Sequence, residues 1–245
     1  LKTAYGMLRR LVGSEMCIRD SLRKYFDSIP QEKLLEVMKR RISDVNVLRL
    51  IRWWMKAGVQ EEGTISASET GTPQGGVISP LLANIYLNEL DREWTRRGYN
   101  SIRYEAHMVR YADDMVILCR KDVKRYYEEL KAEIEKLGLE VNEDKTRIVD
   151  AREGFDFLGV SFAYRKNPRG RMNCYKWPSH KSVSSIKAKI REAIGRRGNW
   201  KLEEAIRRVN PVIRGWGNYF RYGNSFLQFE KVDRYVYWRL RWRYY

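Results

Sequence analysis

Two adjacent carboxylates, Asp113 and Asp114, stand in the run Tyr111-Ala112-Asp113-Asp114 between two short apolar segments. Neighbouring negative charges repel each other, so a pair at the rim of an apolar core favours a bound cation. Mg²⁺ binds through one or two carboxylates together with substrate phosphates, and paired ions can stabilise the attacking and leaving oxygens of a phosphoryl transfer. The alternative is a solvated turn, because aspartate is common in turns.

A glycine-rich run, Gly71-Thr72-Pro73-Gln74-Gly75-Gly76, precedes this pair by some 35 residues. Glycine lets another backbone or a base pair approach closely, and the Gln74 amide offers both donors and acceptors. A helix that begins behind Ser79 also presents free N–H groups to an anion. The run therefore indicates a binding surface, with a purely structural turn before a helix as the alternative.

The elements that must position these residues follow from the spacing of apolar side chains. Helices are predicted from Pro30, behind Asp44, from Ser79-Pro80 to about Arg97, and behind Asp122 as its cap. Short strands are predicted at 109–111, 115–119, 139–141, 148–149 and 155–162. This order indicates an α+β fold in which helices pack on a small antiparallel sheet.

The pattern changes to helices only after Gly170, and one of these helices is predicted to begin at Pro211. The stretch 163–171 contains Pro168 and Gly170 and is the predicted domain boundary.

Positive charge is concentrated in the last 95 residues. The chain of 245 residues has 48 Lys and Arg against 31 Asp and Glu, a net charge of +17, and residues 151–245 hold 22 of the basic but only 7 of the acidic side chains. The same segment holds 19 of the 31 aromatic residues. Counterion release and stacking of bases on aromatic rings favour a nucleic-acid surface, against the alternative of a basic surface over an aromatic core.

Several classes of protein are disfavoured. The longest apolar stretch, Val77 to Leu87, is broken by Pro80 and Asn84 and is too short to cross a membrane. Three widely spaced cysteines and two histidines form neither a disulfide framework nor a zinc pattern. We therefore expect a cytosolic protein without membrane contact.

Tyr-Ala-Asp-Asp, with the Gly-Thr-Pro-Gln-Gly run before it, resembles the palm of a reverse transcriptase, and more narrowly that of proteins encoded by group II introns. The segments 138–146 and 154–159 resemble later palm blocks of this family. The segment from Ser185 through Ile213-Arg214-Gly215-Trp216-Gly217-Asn218-Tyr219-Phe220 resembles its maturase-specific thumb, also called domain X. The resemblance implies a palm over residues 22–165, followed by an all-α thumb over 171–245.

The resemblance implies RNA-directed DNA synthesis with two Mg²⁺ ions, and binding of the parent intron RNA to assist splicing and mobility. Its substrates would be an RNA template with a DNA primer and deoxynucleoside triphosphates; a homodimer stays open. Asp113 and Asp114 would hold the metals, and Lys145 would lie near the phosphates, unless it is only a solvated lysine. Substrate would contact Phe26 beneath the incoming sugar, together with Gln74, Gly75, Gly76 and Tyr111. Arg207, Arg208 and Arg214 are the candidates for RNA contact, by density of charge alone.

The sequence departs from the family at one metal position. The family's first palm block opens with an aspartate that is the third metal ligand, whereas this chain has Ser21 there and Asp20 one place out of register. A one-residue slip on a strand points a side chain to the opposite face, and a hydroxyl is a poorer ligand than a carboxylate for a hard cation. Asp27, which matches the block's second aspartate, is interpreted as structural. We therefore expect impaired metal binding.

The family's fingers blocks have no match, so we expect a truncated copy with palm and thumb. Residues 1–21 match nothing recognisable, and our hypothesis is that they are not native and that the source gene supplies aspartate at position 21. No DNA-binding or endonuclease region follows the thumb motifs, so target cleavage is not expected.

Two alternatives to a polymerase stay open. One is a non-catalytic RNA-binding splicing factor that retains the palm as a scaffold, and the other is a host-domesticated reverse transcriptase without an intron.

Overall fold

The structure is a computed structural model that describes residues 16–56, 59–61, 64–66, 71–72, 76–101, 106–195 and 201–244. It consists of two compact units, Leu1–Asp150 and Ala151–Tyr245. The second unit is the segment that holds the excess of basic residues. None of the helices in the described ranges is long and apolar enough to cross a membrane.

The first unit alternates helices with the strands of a small antiparallel sheet. Its elements are β1 (Met16–Ser21), α1 (Tyr25–Ser28), α2 (Gln31–Lys39), α3 (Val45–Lys56), β2 (Val59–Glu61), β3 (Thr64–Ser66), α4 (Ser79–Arg96), β4 (Ala106–Tyr111), β5 (Asp114–Cys119), α5 (Val123–Lys136) and β6 (Arg147–Asp150). This confirms the predicted α+β fold class.

The main sheet has the strand order β4-β5-β1-β6, with antiparallel pairing throughout. Strand β1, which belongs to the stretch left unmatched by the sequence patterns, is therefore a central strand between β5 and β6. Because β1 runs opposite to both neighbours, its C-terminal end lies at the same end of the sheet as the β4–β5 turn and the start of β6.

One face of this sheet supports the helical core of the unit. Ile18 on β1 and Met115 and Ile117 on β5 are fully buried and pack with the apolar stripes of α2, α4 and α5. A cap fixes the start of α3, because the Asp44 carboxylate accepts hydrogen bonds from the backbone N–H groups of Asn46 and Val47 at 2.8 and 3.3 Å. The predicted cap at Asp122 is wrong: this residue precedes α5 with a φ of 56°, and its side chain makes no capping hydrogen bond.

The second unit has a three-stranded sheet followed by helices. Its elements are β7 (Phe155–Phe157), β8 (Val160–Lys166), β9 (Met172–Pro178), α6 (His180–Ile194), α7 (Leu202–Phe220) and α8 (Phe226–Tyr244). The helices share an apolar core in which Ile186 and Ile190 of α6 meet Val209 of α7 and Val232 of α8.

Two details of the second unit differ from the predictions. The expectation of helices alone after Gly170 is wrong for 172–178, which pairs with β8 as an edge strand. Pro211 does not begin a helix but lies inside α7. The helix continues through it because Pro211 and Arg207 are both exposed, so water can satisfy the carbonyl group that the proline leaves without a partner.

The predicted boundary at 163–171 coincides with the end of β8 and the β8–β9 turn, whereas the compact units divide between Asp150 and Ala151. The β8–β9 hairpin keeps both sides of this stretch within the second unit, since the two strands pair from Val160 to Pro178.

Candidate active site

The two aspartates and Ser21 lie at one end of the main sheet, where β1 ends and β5 begins. Tyr111 ends β4 and Asp114 begins β5 as its register partner, so that Ala112 and Asp113 form the two-residue turn between them. On the other side, Asp114 is the register partner of Ser21 at the end of β1. Opposed residues of antiparallel strands place their side chains on the same face. Ser21, Asp114 and Tyr111 therefore form one row across three strands.

The register also decides between Ser21 and Asp20. Asp20 is the partner of Met115, a fully buried core residue, whereas Ser21 is the partner of Asp114. The backbone pairing thus assigns the position beside the aspartate pair to the serine. Ser21 is buried, Asp113 is half-buried and Asp114 is exposed.

Arg110 holds the hairpin turn. Its guanidinium donates hydrogen bonds to the Ala112 carbonyl oxygen at 2.9 Å and to the Asn84 side-chain oxygen on α4 at 3.1 Å, and it forms an ion pair with Asp91. Only 10% of the Arg110 side chain is exposed. A planar guanidinium with several fixed donors suits this multiple contact. Arg110 therefore fixes the aspartate turn relative to helix α4.

The turn itself is strained. Ala112 has a φ of 53°, a left-handed conformation that residues other than glycine seldom adopt. The contact of Arg110 with the Ala112 carbonyl group contributes to holding this conformation.

Tyr25 connects α1 to the same region. Its hydroxyl group donates to the Ala83 carbonyl oxygen on α4 at 2.5 Å. Burial raises the pKa of Tyr25, the positive charge of Arg110 opposes this rise, and the negative charge of Asp113 adds to it. Tyr25 therefore stays a protonated hydrogen-bond donor. Its side chain lies close enough to Asp113 for the charge of that carboxylate to raise the pKa of Tyr25.

The start of the glycine-rich run docks on the turn that carries Phe26. The Thr72 backbone N–H donates to the Phe26 carbonyl oxygen at 2.7 Å, and the Gly71 N–H donates to the Ile29 carbonyl oxygen at 2.9 Å. Gly71 has a φ of +85°, and a Cβ atom there would lie 2.6 Å from the Phe26 carbonyl oxygen. The buried Gln31 donates to the Gly71 carbonyl oxygen at 2.9 Å. A glycine is therefore required at this crossing.

Two predicted substrate residues, Gln74 and Gly75, lie outside the described residues. Gly76 lies at the entrance to α4, where its carbonyl oxygen accepts a hydrogen bond from the Ser79 N–H at 3.1 Å. Phe26 is half-buried against the core, and Tyr111 is 65% exposed.

Lys145 lies on a turn that is hydrogen-bonded to the same end of the main sheet. The Asn142 N–H donates to the Ser21 carbonyl oxygen at 2.9 Å, and the Lys145 N–H donates to the Asn142 carbonyl oxygen, also at 2.9 Å. The lysine side chain is exposed. The structure therefore brings the backbone of Lys145 near Ser21.

The oxygen ligands at this end of the sheet, from Asp113, Asp114 and Ser21, are suited to a hard cation. Two carboxylates and a hydroxyl group supply only oxygen ligands, which Mg²⁺ prefers, and Mg²⁺ needs only one or two protein carboxylates when phosphates and water complete its shell. In the ranges that the structure describes, no three Asp, Glu, His or Cys side chains are grouped so that they could hold a metal. Asp113 and Asp114 thus fit a divalent cation, but Ser21 leaves the third place without a carboxylate.

The sequence patterns missed Arg110, Tyr25 and Gln31, all of which hold the site together. Arg110 gave a signal that could have found it, since a charged residue within an apolar strand requires a partner when it is buried. The partner, Asp91, lies on a different element and could not be identified from local spacing.

The predicted RNA contacts of the second unit lie on α7. Arg207, Arg208 and Arg214 are all exposed, and Arg207 and Arg214 are seven residues apart and so share one face of the helix. Arg208 also pairs with Glu204 at 2.9 Å.

Two of the recognised sequence blocks meet inside the second unit. The Leu158 and Gly159 carbonyl groups, at the β7–β8 turn, accept hydrogen bonds from the Tyr219 hydroxyl group at 3.1 Å and the Ser182 hydroxyl group at 2.8 Å. Tyr219 belongs to the run Gly215-Trp216-Gly217-Asn218-Tyr219-Phe220. The block at 154–159 is therefore packed against the helices that follow it.

Comparisons with known proteins agree with these features. A family model described as reverse transcriptase (RNA-dependent DNA polymerase) matches residues 5–162, a range that includes most of the first 21 residues. A second model, described as the maturase-specific domain of group II introns, matches residues 183–244.

Among the similar proteins, YkfC of Escherichia coli is 34% identical over 185 residues, which is 63% of this chain and 49% of that protein. The group II intron-encoded protein LtrA of Lactococcus lactis is 27% identical over 219 residues, 65% of this chain and 37% of LtrA. The chain thus spans less than half the length of these curated relatives. Apo telomerase from Candida tropicalis has a similar fold, with a TM-score of 0.56 and 14% identity over 94% of this chain and 46% of that one.

Proposed function

The chain belongs to the reverse transcriptase family and carries the maturase-specific domain of group II introns, and on this premise we propose that it is an RNA-directed DNA polymerase and an intron-binding maturase. The substrates would be an RNA template with a DNA primer and deoxynucleoside triphosphates. The observation that carries the proposal is the end of the main sheet at which Asp114 lies in register with Ser21, with Asp113 in the turn directly before it. The proposed role is in splicing and mobility of a group II intron.

In this proposal, Asp113 and Asp114 hold Mg²⁺ and Arg110 keeps their turn in place through the Ala112 carbonyl group. When bound, the metal supplies positive charge for the oxygens that attack and leave in phosphoryl transfer. Tyr25 joins α1 to α4 near the aspartate turn as a protonated donor to the Ala83 carbonyl group.

Substrate contacts are proposed for Phe26 and Tyr111 and for the segment Gln74, Gly75 and Gly76. The backbone bond between Thr72 and Phe26 supports this assignment, because it ties the start of the glycine-rich run to the Phe26 turn. Lys145 is proposed to act on the phosphates, since its turn is bonded to the Ser21 carbonyl group through Asn142.

The second unit is proposed to bind the intron RNA. Its excess of 15 positive charges supports this role, because neutralising several phosphates releases counterions from the RNA. Arg207, Arg208 and Arg214 are the proposed contacts on α7. The proposed compartment is the bacterial cytoplasm, with an organelle as the alternative.

Primer extension on an RNA template in the presence of Mg²⁺ tests the polymerase. The experiment compares the unaltered chain with Ser21→Asp, Ser21→Asn as the matched neutral control, and Asp113→Ala. We expect extension to be strongest with Ser21→Asp and absent with Asp113→Ala. Equal extension by all four proteins would contradict the assignment of the site.

A non-catalytic RNA-binding splicing factor is the second candidate, and Ser21 at a metal position favours it. In that case neither the unaltered chain nor Ser21→Asp extends a primer, while both retain affinity for intron RNA. Binding measured on the same preparations therefore separates the two functions.

A further inference from the structure

A solvent-open cavity of about 550 Å³ lies on the surface of the second unit, between the last turn of α6 and the C-terminal half of α8. Pockets for small ligands typically measure about 300–1,000 Å³. Three arginines, Arg191, Arg239 and Arg243, line it together with the rings of Tyr235 and Trp242, and no acidic residue of the described ranges is among its walls. The cavity belongs to this unit alone and includes none of the residues assigned above.

The charges of this cavity favour an anion. Three arginines that line one space place like charges near each other, and a phosphate relieves such repulsion through charge-assisted hydrogen bonds. Arg243 is oriented by a hydrogen bond from its guanidinium to the Gly195 carbonyl oxygen at the end of α6. The Arg239 Nε atom is buried and has no hydrogen-bond partner among the described residues. A donor without a partner carries a free-energy cost, which an acceptor within hydrogen-bond distance would remove.

The aromatic walls favour a flat ring system. Trp242 is 83% exposed although it is a large apolar side chain. Tyr235 is half-buried, and the Lys187 Nζ atom lies 5.4 Å from the centre of its ring, which occupies that face with a cation. The indole ring of Trp242 is therefore the surface available for stacking of a base.

We infer that this cavity binds one unpaired nucleotide, with its phosphate on Arg191 and Arg239 and its base on Trp242. A paired base does not fit this role, because both of its faces are stacked within the duplex. The nucleotide comes either from free nucleotide in solution or from an unpaired position of an RNA strand, and the second source rests on the RNA binding proposed above.

The test uses the full chain at fixed ionic strength. AMP and inorganic phosphate are titrated by calorimetry, and a labelled RNA is titrated by fluorescence anisotropy, as a single strand and annealed to its complement. The variants are Arg239→Gln and Trp242→Leu. Their matched controls are Arg234→Gln and Trp238→Leu, which change exposed residues of the same type on the same helix and outside the cavity.

We expect Arg239→Gln and Trp242→Leu each to weaken binding of AMP by about tenfold or more, with the two controls unchanged. If single-stranded RNA shows the same pattern and the duplex does not, the nucleotide comes from RNA; if AMP alone shows it, the source is free nucleotide. Phosphate alone should bind more weakly than AMP and respond only to Arg239→Gln.

Equal effects of cavity and control variants would overturn the inference, as would the absence of AMP binding. In that case the arginines serve only the C-terminal ends of α6 and α8, and Arg239→Gln lowers thermal stability without altering binding. If Arg239→Gln does not fold, Trp242→Leu still decides, because its side chain is outside the core. Primer extension is measured separately, so the absence of polymerase activity can be distinguished from the absence of nucleotide binding in this cavity.

Discussion

Ser21 and Asp114 are register partners on neighbouring antiparallel strands, and Asp114 is also paired with Tyr111 on its other side. The serine therefore occupies the place on the sheet where a third carboxylate would face the aspartate pair. Asp20, one residue earlier, is paired with the buried Met115 and cannot take that place without a shift of the whole strand. In the proposed function, the side chain at position 21 therefore sets how strongly Asp113 and Asp114 hold Mg²⁺.

Replacement of Ser21 by aspartate should make stability depend on Mg²⁺. Without the metal, Ser21→Asp should be less stable than Ser21→Asn because a third negative charge is added. At a Mg²⁺ concentration ten times the Kd, binding to the folded state should add about 1.4 kcal/mol, which raises Tm by about 3–5 °C in a chain of this size. Thermal unfolding with and without Mg²⁺ measures both effects. An equal Mg²⁺ response in the two variants would refute the proposed metal position.

Loss of the Arg110 guanidinium should loosen the aspartate turn. Arg110→Gln removes the ion pair with Asp91 and the hydrogen bond to the Ala112 carbonyl group. It leaves the Asp91 carboxylate, whose side chain is only 35% exposed, without its arginine partner. We expect a loss of about 2–3 kcal/mol in the free energy of unfolding. Urea denaturation measures it.

The matched control for Arg110 is Arg92→Gln on α4, whose exposed side chain forms a surface pair with Glu89. That change should cost less than about 1 kcal/mol. Similar losses for the two variants would show that Arg110 does not anchor the turn.

Gly71 and Gly170 should respond differently to alanine, although both have positive φ values of +85° and +74°. A Cβ atom at Gly71 would lie 2.6 Å from the backbone of Phe26 and Asp27, whereas at Gly170 nothing lies within 4 Å. Gly170→Ala should therefore cost only the conformational penalty of about 1–2 kcal/mol. Gly71→Ala should exceed it by about 2 kcal/mol because backbone must move. Urea unfolding of both variants provides the comparison, and equal costs would contradict the close crossing.

Local patterns predicted the parts of the fold that depend on local spacing. Helix α4 follows from Ser79-Pro80 and its apolar stripe, and the Asp113-Asp114 turn follows from the apolar strands on either side. Strand β9 was missed because it is an edge strand whose exposed and half-buried residues do not alternate cleanly. Pro211 was misinterpreted because a proline at the first turn and an exposed proline within a helix look alike without the tertiary core.

The contacts that hold the site could not be derived in the same way. Arg110 meets Asp91, and Thr72 meets Phe26, across long stretches of sequence. Such pairs depend on how elements pack, which the type and spacing of neighbouring residues do not encode. The identities of the two aspartates were accessible from sequence, whereas the residues that orient them required coordinates.

Acid should weaken the first unit through Glu93. Hydrogen bonds from the Arg96 and Arg97 guanidinium groups lower the pKa of Glu93 from its ordinary value of 4.5 to about 2. Because the folded-state pKa is the lower one, the stabilisation is complete above about pH 4.5 and is lost as the pH falls toward 2. Urea midpoints at pH 7 and pH 3 should therefore fall more in the unaltered chain than in Glu93→Gln. A parallel fall in both would assign the acid sensitivity to other carboxylates.

Salt should control the affinity of the second unit for RNA. Each phosphate contact that is lost should reduce the slope of log K against log salt by about 0.7–0.9. Arg207 and Arg214 lie on one exposed face of α7, whereas Arg208 forms an ion pair with Glu204 that partly neutralises its charge. We therefore expect Arg207→Gln and Arg214→Gln to flatten the slope more than Arg208→Gln does, in RNA titrations from low to high salt. A salt-independent affinity in the unaltered chain would exclude this basic surface as the RNA-binding face, because an interface made by arginines and phosphates must release counterions.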